Sequence, residues 1–567
     1  MPANEVAFRR RPDGRGHTWA KLSLEVQVTT FGRYLALSLQ TAGWSRGPLD
    51  AFFELARRAV ARIDRTPEME SIPGLLTGQR IANGIAKIAF SRARRRKASL
   101  YHAVGPCPYP HLEPTDLHSD AVFCHLRLAG LNPVLVETVD RRERVAECAP
   151  LADVEQEFRR AGHGEFEGAV AEGRLTVVAP EAFAPLEHLR ATDEPEHPYE
   201  PRFFCRPTAV FVRRAGESHL RPVAIRCAPS FATITPAHGQ VWERAKLHFQ
   251  VADSLYHTFV SHLPQTHFLL EPVVLATRNA LGFDHVGAQH PVRRLLEPHL
   301  EGTLAVNRVA RSTLLDGSSS FRQFVAADVA STTAMMSAAF TERAQSCVTT
   351  FDAKHLGEVD RGLVCPYRDD FERVRAPLVE WIDAYVDMHY GSDADVCEDV
   401  LLQRWSEHLR DPARGRLTGL PPLRSVRSLQ RTLATIVELA TLQHASFHFP
   451  QTDLGRLAYV IPFYAADVPP GQCMAEESEL TLLDSLPDLH AAAWQSFVLG
   501  QSDLRWSSLQ DLPGRHDGHA RALAEGMWRR LEGVEQQIVA RNAALVRDGL
   551  TPYEYLQPSK VPCSVNT

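Results

Sequence analysis

Histidine is the residue type whose number and placement in this sequence point most directly to chemistry. The chain carries 25 histidines in 567 residues. Between residues 248 and 299 an even distribution would place about two. The sequence instead has His248, His257, His262, His267, His285, His290 and His299 there, and a second group follows at His444 and His448. Neutral imidazole is a common ligand of transition metals, so a metal centre is one reading of this density.

The spacing within the two groups is more informative than their number. His444 and His448 are four residues apart, so in an α-helix both side chains leave the same face. His262 and His267 are five apart, which turns them about 140° from each other in a regular α-helix. They can face one point only if the helix contains a π-type turn, and Pro264 between them favours a break in the backbone hydrogen bonds. Spacing alone leaves a metal site and scattered core histidines about equally supported.

Other catalytic motifs are missing from the sequence. We find no GxGxxG or GxxxxGK[ST] nucleotide loop, no GxSxG nucleophile elbow and no HExxH zinc motif. The pair His118 and Asp120 could begin a two-His-one-carboxylate site, but one such pair is expected by chance in a chain this rich in histidine. The ten cysteines include no CxxC pair, which is typical of reduced thiols in a cytoplasmic protein.

The elements that must position these residues are mainly helical. Helices are predicted over 32–100 and, almost without interruption, from about residue 240 onward, while LTVV, TAVFV and RPVAI predict short strands. The fold class is therefore mostly α with a minor β component. The basic run at 92–97 either ends a solvated helix or contacts anionic lipid, and the helices over 48–97 could act as a lid or a peripheral membrane contact.

Composition excludes several classes of protein. With 44% hydrophobic and 23% charged residues, the chain is neither disordered nor fibrous. A net charge of −6 argues against nucleic acid as the main partner. We find no uninterrupted apolar run of transmembrane length and no apolar segment typical of a secretory signal, so we expect a cytoplasmic protein.

Several separated blocks of sequence resemble the lipoxygenase family. WERAKLHFQVAD, SHLPQTHFLLEP, HPVRRLLEPH and NRVAR resemble the first metal-binding region, and LQHASFHFPQ resembles the second. HSDAVFCHLRLAGLNPVLV and the tail GLTPYEYLQPSKVPCSVNT resemble further family segments. The resemblance covers about 118–567 and is less clear over 1–117, which we take as a variable N-terminal helical part. It implies a large single helical lipoxygenase-type catalytic domain over 1–567, and we see no sequence for the N-terminal β-sandwich of plant and animal members.

The resemblance also implies a set of metal ligands. By position these are His262, His267, His444, His448 and the main-chain carboxylate of Thr567, which stands where the family usually ends in Ile. Such a nitrogen and carboxylate set suits one non-haem iron per chain, with manganese as the alternative. Gln451 matches a position that supports the ligands, and His257 matches a histidine that lies close to the metal without binding it.

The implied activity is oxygenation of a polyunsaturated fatty acid of the linoleate or arachidonate type. Hydrogen abstraction from a bis-allylic carbon and addition of O2 would give a lipid hydroperoxide. Ala310 stands where Ala accompanies S products, and Leu314 and Phe321 match positions that contact the substrate. The partners would be the fatty acid and O2, and the protein a monomer. Departures such as Thr258, where Gln is frequent, keep two alternatives open: a hydroperoxide isomerase of the same fold and a metal-free lipid-binding protein.

Overall fold

A computed structural model of the protein describes residues 98–190, 201–281, 289–315, 320–473, 477, 479–500 and 507–566. The helices predicted within 32–97 and the proposed ligand Thr567 therefore lie outside the described residues. The predicted fold class is confirmed, because a mostly helical molecule surrounds one small antiparallel sheet. Among the described residues, none of the helices combines the length and the apolar composition that a membrane-spanning segment requires.

The sheet has four strands in sequential order, each antiparallel to the next. They are β1 (Glu137–Val139), β2 (Leu175–Val178), β3 (Thr208–Arg213) and β4 (Leu220–Arg226). The three predicted apolar runs form β2, β3 and β4, as their β-branched residues favour. In the β3–β4 hairpin Thr208 is paired with Arg226, and an irregularity in register falls between Val210 and Phe211.

The N-terminal part of the described chain begins with α1 (Ala98–Val104). The helices that follow it flank the sheet: α2 (Asp120–Ala129), α3 (Arg142–Cys148), α4 (Leu151–Ala161) and α5 (Phe166–Ala171). One face of the sheet buries Val177, Val210 and Val212 against residues of α3, α4 and α5, such as Val145 and Phe158, in a small separate core.

The remaining helices build the large core. They are α6 (Gln240–Tyr256), α7 (Glu271–Ala280), α8 (Pro291–Leu300), α9 (Thr303–Ala310), α10 (Val329–Ser346), α11 (Thr350–Ala353), α12 (Pro366–His389), α13 (Asp393–Glu398), α14 (Val400–Arg410), α15 (Val426–Glu438), α16 (His444–Pro450), α17 (Leu482–Ser485), α18 (Leu489–Leu499) and α19 (Gly518–Arg547). Four segments are π-helical: π1 (His257–His267), π2 (Arg311–Leu315), π3 (Leu439–Gln443) and π4 (Gln451–Gly455).

Two long helices, α12 and α19, enclose the core from one side. In α12, Phe371, Val374 and Leu378 are buried at helical spacing, so one apolar stripe faces inward. Arg541 of α19 donates two hydrogen bonds to Asp370 of α12, at 2.8 and 2.7 Å. Burial raises the pKa of Asp370 to about 6 although Arg541 opposes that rise. This pair fixes how the last helix lies against the centre of the molecule.

Candidate metal centre

The first pair of histidines lies on π1, which continues α6 without a break. The predicted departure from α-helical geometry is confirmed, and it extends over eleven residues, all of them buried. Thr266 donates its hydroxyl to the Ser261 carbonyl at 2.8 Å, five residues back along the segment. A π turn places residues five apart above one another, and the Nε2 atoms of His262 and His267 are 3.2 Å apart. The π-helical backbone therefore brings His262 and His267 onto the same face, as their spacing of five residues requires.

The second pair lies on α16, a short regular helix between π3 and π4. His444 and His448 are on successive turns, with ring centroids 4.7 Å apart. The Nδ1 atom of His448 is 3.3 Å from Nε2 of His262, so the two segments meet at their histidines. All seven residues of α16 are buried, so both imidazoles lie in the interior of the protein.

The four histidines converge on one point. One ring nitrogen from each lies within 4.8 Å of the others, and no side chain of the four is more than 4% exposed. Two nitrogens that bind one ion at right angles, each about 2.1 Å from it, would be about 3.0 Å apart. The separations of 3.2 and 3.3 Å around His262 are close to that value.

A bound cation fits this arrangement better than hydrogen bonding among the rings. Nε2 of His262 has two nitrogens within 3.3 Å, and it can carry only one proton in the plane of its ring. Burial lowers the pKa of His267 to about 4, and burial together with the neighbouring histidines holds the pKa of His262 well below its ordinary value. Both rings are therefore neutral at pH 7, the form in which an imidazole binds a metal.

Asn307 of α9 determines which nitrogen of His267 faces the cluster. The Asn307 amide nitrogen donates to the His267 carbonyl at 2.9 Å and to Glu271 at 2.8 Å, so its oxygen must be the atom 3.0 Å from Nδ1 of His267. The proton of the ring then lies on Nδ1, and Nε2 presents its lone pair to the cluster. Arg311 completes the chain by donating to Glu271 at 2.7 Å. Asn307 lies inside the NRVAR block, but nothing in the sequence indicated its contact with His267.

Gln443, directly before His444, connects the two histidine segments. Its amide nitrogen donates to the Gln265 carbonyl at 2.8 Å and to the Thr266 hydroxyl at 2.9 Å, both in π1. Its oxygen accepts from the backbone N–H of Thr350 at 2.6 Å. Sequence reasoning missed Gln443; the available signal was its place directly before His444, and that does not identify a partner.

His257 lies beside the cluster but outside it. Its Nε2 is 2.9 Å from the Phe447 carbonyl, and its ring stacks on that of His262 with centroids 5.1 Å apart. Burial lowers its pKa to about 4, so it too is neutral. His257 thus holds the first histidine segment against α16 through a main-chain contact.

The other predicted residues lie at different distances from this centre. Gln451 is buried at the start of π4, one turn after His448. Ala310 ends α9, three residues after Asn307, and is half-buried, as is Leu314 in π2. Phe321 is buried and meets Phe259 of π1 edge to face, at a centroid distance of 5.6 Å. Their roles stay predictions.

Two further histidines and Asp120 make contacts that are structural. His290 pairs with Asp399 at 3.1 Å, and His299 contacts the Cys563 carbonyl at 2.8 Å. The Asp120 carboxylate accepts from Trp242 and Lys246, both at 2.8 Å. These bonds account for Asp120 without an ion shared with His118.

Comparisons with known proteins agree with this geometry. Residues 208–488 match the lipoxygenase family. A linoleate 9/13-lipoxygenase of Pseudomonas aeruginosa is 30% identical over 473 residues, which cover 79% of this chain and 66% of that protein. Probable lipoxygenase 6 of Oryza sativa subsp. japonica is 26% identical over 511 residues, covering 78% of this chain and 53% of that protein. The chain thus spans between about half and two thirds of the length of these relatives.

Solved structures show the same fold. A calcium-dependent 11R-lipoxygenase has a TM-score of 0.68 at 22% identity, covering 79% of this chain and 66% of that one. A lipoxygenase solved anaerobically in complex with arachidonate has a TM-score of 0.71 at 21% identity, covering 86% of this chain and 73% of that one. The matched region 208–488 contains both histidine segments, and the bacterial relative aligns with most of the chain. The chain therefore belongs to the lipoxygenase family.

Proposed function

We propose that this protein is a non-haem iron dioxygenase that converts polyunsaturated fatty acids into S-configured lipid hydroperoxides. The observation that carries the proposal is the convergence of four buried histidines on one point. Family membership supports the reaction class, and the names of the relatives, which refer to linoleate and polyunsaturated fatty acids, support the substrate class.

His262, His267, His444 and His448 would hold the ion in this proposal. The carboxylate of Thr567 would be a fifth ligand and would supply the negative charge that neutral imidazoles lack. Bound there, iron would supply the one-electron redox couple that hydrogen abstraction from a bis-allylic carbon requires. Manganese remains the alternative, because nitrogen and oxygen ligands serve both ions.

The protein's own contribution is to fix the ligands and exclude water. Asn307 holds the tautomer of His267, and Gln443 and His257 hold the two segments together by bonds to main-chain groups. The buried ring of Phe321 and the half-buried Leu314 would pack against the acyl chain. Ala310 would decide which face of the substrate radical O2 reaches. We further propose that 1–567 acts as one catalytic domain whose reactants are the fatty acid and O2.

The first experiment measures metal content, O2 uptake and conjugated-diene formation with linoleic and arachidonic acids on one preparation. About one iron per chain with diene hydroperoxide formed is the expected result. Bound metal without O2 uptake, but with turnover of an added fatty-acid hydroperoxide, would replace the proposal with a hydroperoxide isomerase. Neither metal nor turnover would favour the lipid-binding alternative.

Two variants test the finer parts of the proposal. Removal of Thr567 would end the chain one residue short, and we expect it to cost metal retention; full iron content would remove the terminus from the ligand set. Ala310→Gly should shift the products from S towards R on chiral chromatography. An unchanged chiral profile would show that Ala310 does not control the face of attack.

A further inference from the structure

Arg343 of α10 differs from the other buried arginines of the described residues, because no carboxylate pairs with it. It is 3% exposed. Each of the other four forms an ion pair: Arg127 with Asp253, Arg174 with Glu172, Arg244 with Asp467 and Arg368 with Asp369. Burial lowers the pKa of Arg343 from its ordinary value, but a guanidinium keeps its proton at pH 7. This part of the core therefore holds a positive charge whose hydrogen-bond partners are neutral groups.

The guanidinium donates to two neutral oxygens that belong to different segments. One terminal nitrogen donates to Oε1 of Gln265 at 3.1 Å, and the other donates to the Thr349 carbonyl at 3.4 Å. Gln265 lies in π1, and Thr349 lies directly before α11. Both acceptor residues are buried. Hydrogen bonds from a charged donor are stronger than those from a neutral one, and burial keeps water from competing with them.

These two bonds and those of Gln443 close a ring. The Thr349 carbonyl and the Thr350 N–H belong to the same peptide group, which we call the 349–350 peptide. Arg343 donates to its carbonyl end, and its N–H end donates to the Gln443 oxygen at 2.6 Å. The Gln443 amide nitrogen donates to the Gln265 carbonyl at 2.8 Å, and the Gln265 side chain accepts from Arg343. The ring therefore joins α10, π1 and the residue that precedes α16.

The charge of Arg343 also strengthens the bond on the far side of the 349–350 peptide. Hydrogen bonds in a chain polarise one another, so a carbonyl that accepts from a cation makes the N–H of its own peptide a better donor. The 349–350 peptide therefore holds the Gln443 oxygen more firmly than it would without the guanidinium. A neutral donor at position 343 could make the hydrogen bond but would not supply this polarisation.

The ring fixes one residue in each of the two histidine segments. Gln265 lies three residues after His262 and two before His267, and Gln443 directly precedes His444. A shift of Gln265 relative to Gln443 would change the distance between the two pairs of imidazoles. A metal site tolerates errors of only about 0.5 Å in the placement of its ligands. The ring is thus placed to control whether the four nitrogens can reach one ion.

We propose that Arg343 is a positioning residue of the metal centre, whose buried charge holds π1 and α16 in the arrangement that the four histidines need to bind one ion. It acts through Gln265 and the 349–350 peptide and is not itself a ligand. The inference rests on the proposed metal site but not on the fatty-acid reaction. Its test therefore uses binding of Co2+ to the full chain, which requires neither O2 nor a fatty acid.

The test compares Arg343→Lys, Arg343→Gln and Arg343→Met. Lysine keeps the charge, glutamine keeps a neutral donor, and methionine keeps neither. Competition with a chelator measures the affinity for Co2+, and the visible absorption of the bound ion reports its coordination geometry. We expect the affinity to fall about 10- to 100-fold in the Gln and Met variants, with a changed spectrum, and to stay within about threefold of the native value in Arg343→Lys. The Lys and Gln variants decide the question if Arg343→Met does not fold.

Arg368→Met is the matched control. Arg368 is also buried and also donates to main-chain carbonyls, those of Val359 and Leu363, but it lies in α12 and takes no part in the ring. Its replacement should lower the midpoint temperature of thermal unfolding and leave the Co2+ affinity and spectrum unchanged. An equal loss of affinity in Arg343→Met and Arg368→Met would overturn the proposal, because lower stability alone would then explain both.

A second variant opens the ring without changing Arg343. Gln265→Leu should lower the Co2+ affinity to a similar degree, and combining it with Arg343→Gln should cause no further loss, because both changes break the same ring. Additive losses would overturn the proposal, as would an Arg343→Gln chain that binds Co2+ as tightly as the native chain. A native chain that binds no Co2+ would overturn the metal site itself, and this inference with it.

Discussion

The segments π1 and α16 each direct two imidazoles at the same point, and they do so with different backbone geometry. In π1 the histidines are five residues apart and the backbone is π-helical. In α16 they are four apart and the backbone is α-helical, although π-helical residues precede and follow it. An α-helical turn places residues four apart on the same face, and a π-helical turn does so for residues five apart. The comparison teaches that the spacing of the ligands and the local helix type must agree.

The two segments also differ in what holds their histidines. His267 of π1 has a side-chain partner, Asn307, which is itself bound to Glu271. Gln443, just before α16, donates to two groups of π1, and π1 returns a contact through His257 to the Phe447 carbonyl. Each segment is therefore part of the support for the other. The following predictions test this mutual dependence.

The largest effect is expected from removing one histidine from either segment. His267→Ala and His444→Ala should each lose bound metal and O2 uptake to background, because one ion is shared by both segments. Metal analysis and an oxygen electrode measure the two quantities. His290→Ala, which removes a buried histidine paired with Asp399, is the control and should retain metal. Metal retained in His444→Ala but not in His267→Ala would exclude α16 from the site.

The next effect is expected at the connection between the segments. Gln443→Ala would remove a hydrogen bond from the Gln265 carbonyl, the Thr266 hydroxyl and the Thr350 N–H. Each buried group left unsatisfied lowers the free energy of unfolding by about 1–3 kcal/mol. We therefore expect the midpoint temperature of thermal unfolding to fall by several degrees, and the metal content to fall with it.

The control for that change is Gln403→Ala. Gln403 also donates to two carbonyls, those of Val396 and Leu423, but lies in α14. It should lower stability and leave the metal in place. Equal metal loss in both variants would show that Gln443 acts only through global stability.

A smaller effect is expected from removing the partner of His267. Asn307→Ala frees the imidazole to rotate or change tautomer, and we expect metal affinity to fall about 10- to 100-fold while the fold remains. Competition with a chelator measures this affinity. Asn279→Ala, at an exposed position of α7, is the control. Unchanged affinity in Asn307→Ala would mean that packing alone orients His267.

The smallest effect is expected from removing threonine hydroxyl groups that donate to main-chain carbonyls earlier in the same helix. Thr266→Val removes the bond to the Ser261 carbonyl and the acceptor for Gln443, so we expect about 1–2 kcal/mol of lost stability with metal retained. Thr441→Val in π3 removes only the bond to the Val437 carbonyl and should cost less. Denaturant titration compares the two. A larger loss in Thr441→Val would contradict the greater structural role assigned to π1.

Part of the site could be predicted because it depends on local spacing. The interval between His262 and His267, with Pro264 between them, predicts a π-type turn, and that turn is present. The interval between His444 and His448 predicts one shared face of an α-helix, and both lie on the α-helix α16. The roles of Gln451, Ala310, Leu314, Phe321 and Thr567, and the extent of the catalytic domain, remain predictions.

The sequence by itself determined which residues could bind a metal and which helix geometry each pair requires, because side-chain direction along a helix follows from residue spacing. Only the tertiary structure decided that two segments about 180 residues apart meet at one point. It also decided the position of the proton on His267 through Asn307. The reason is physical: packing brings together side chains whose separation along the chain carries no information about their distance in space.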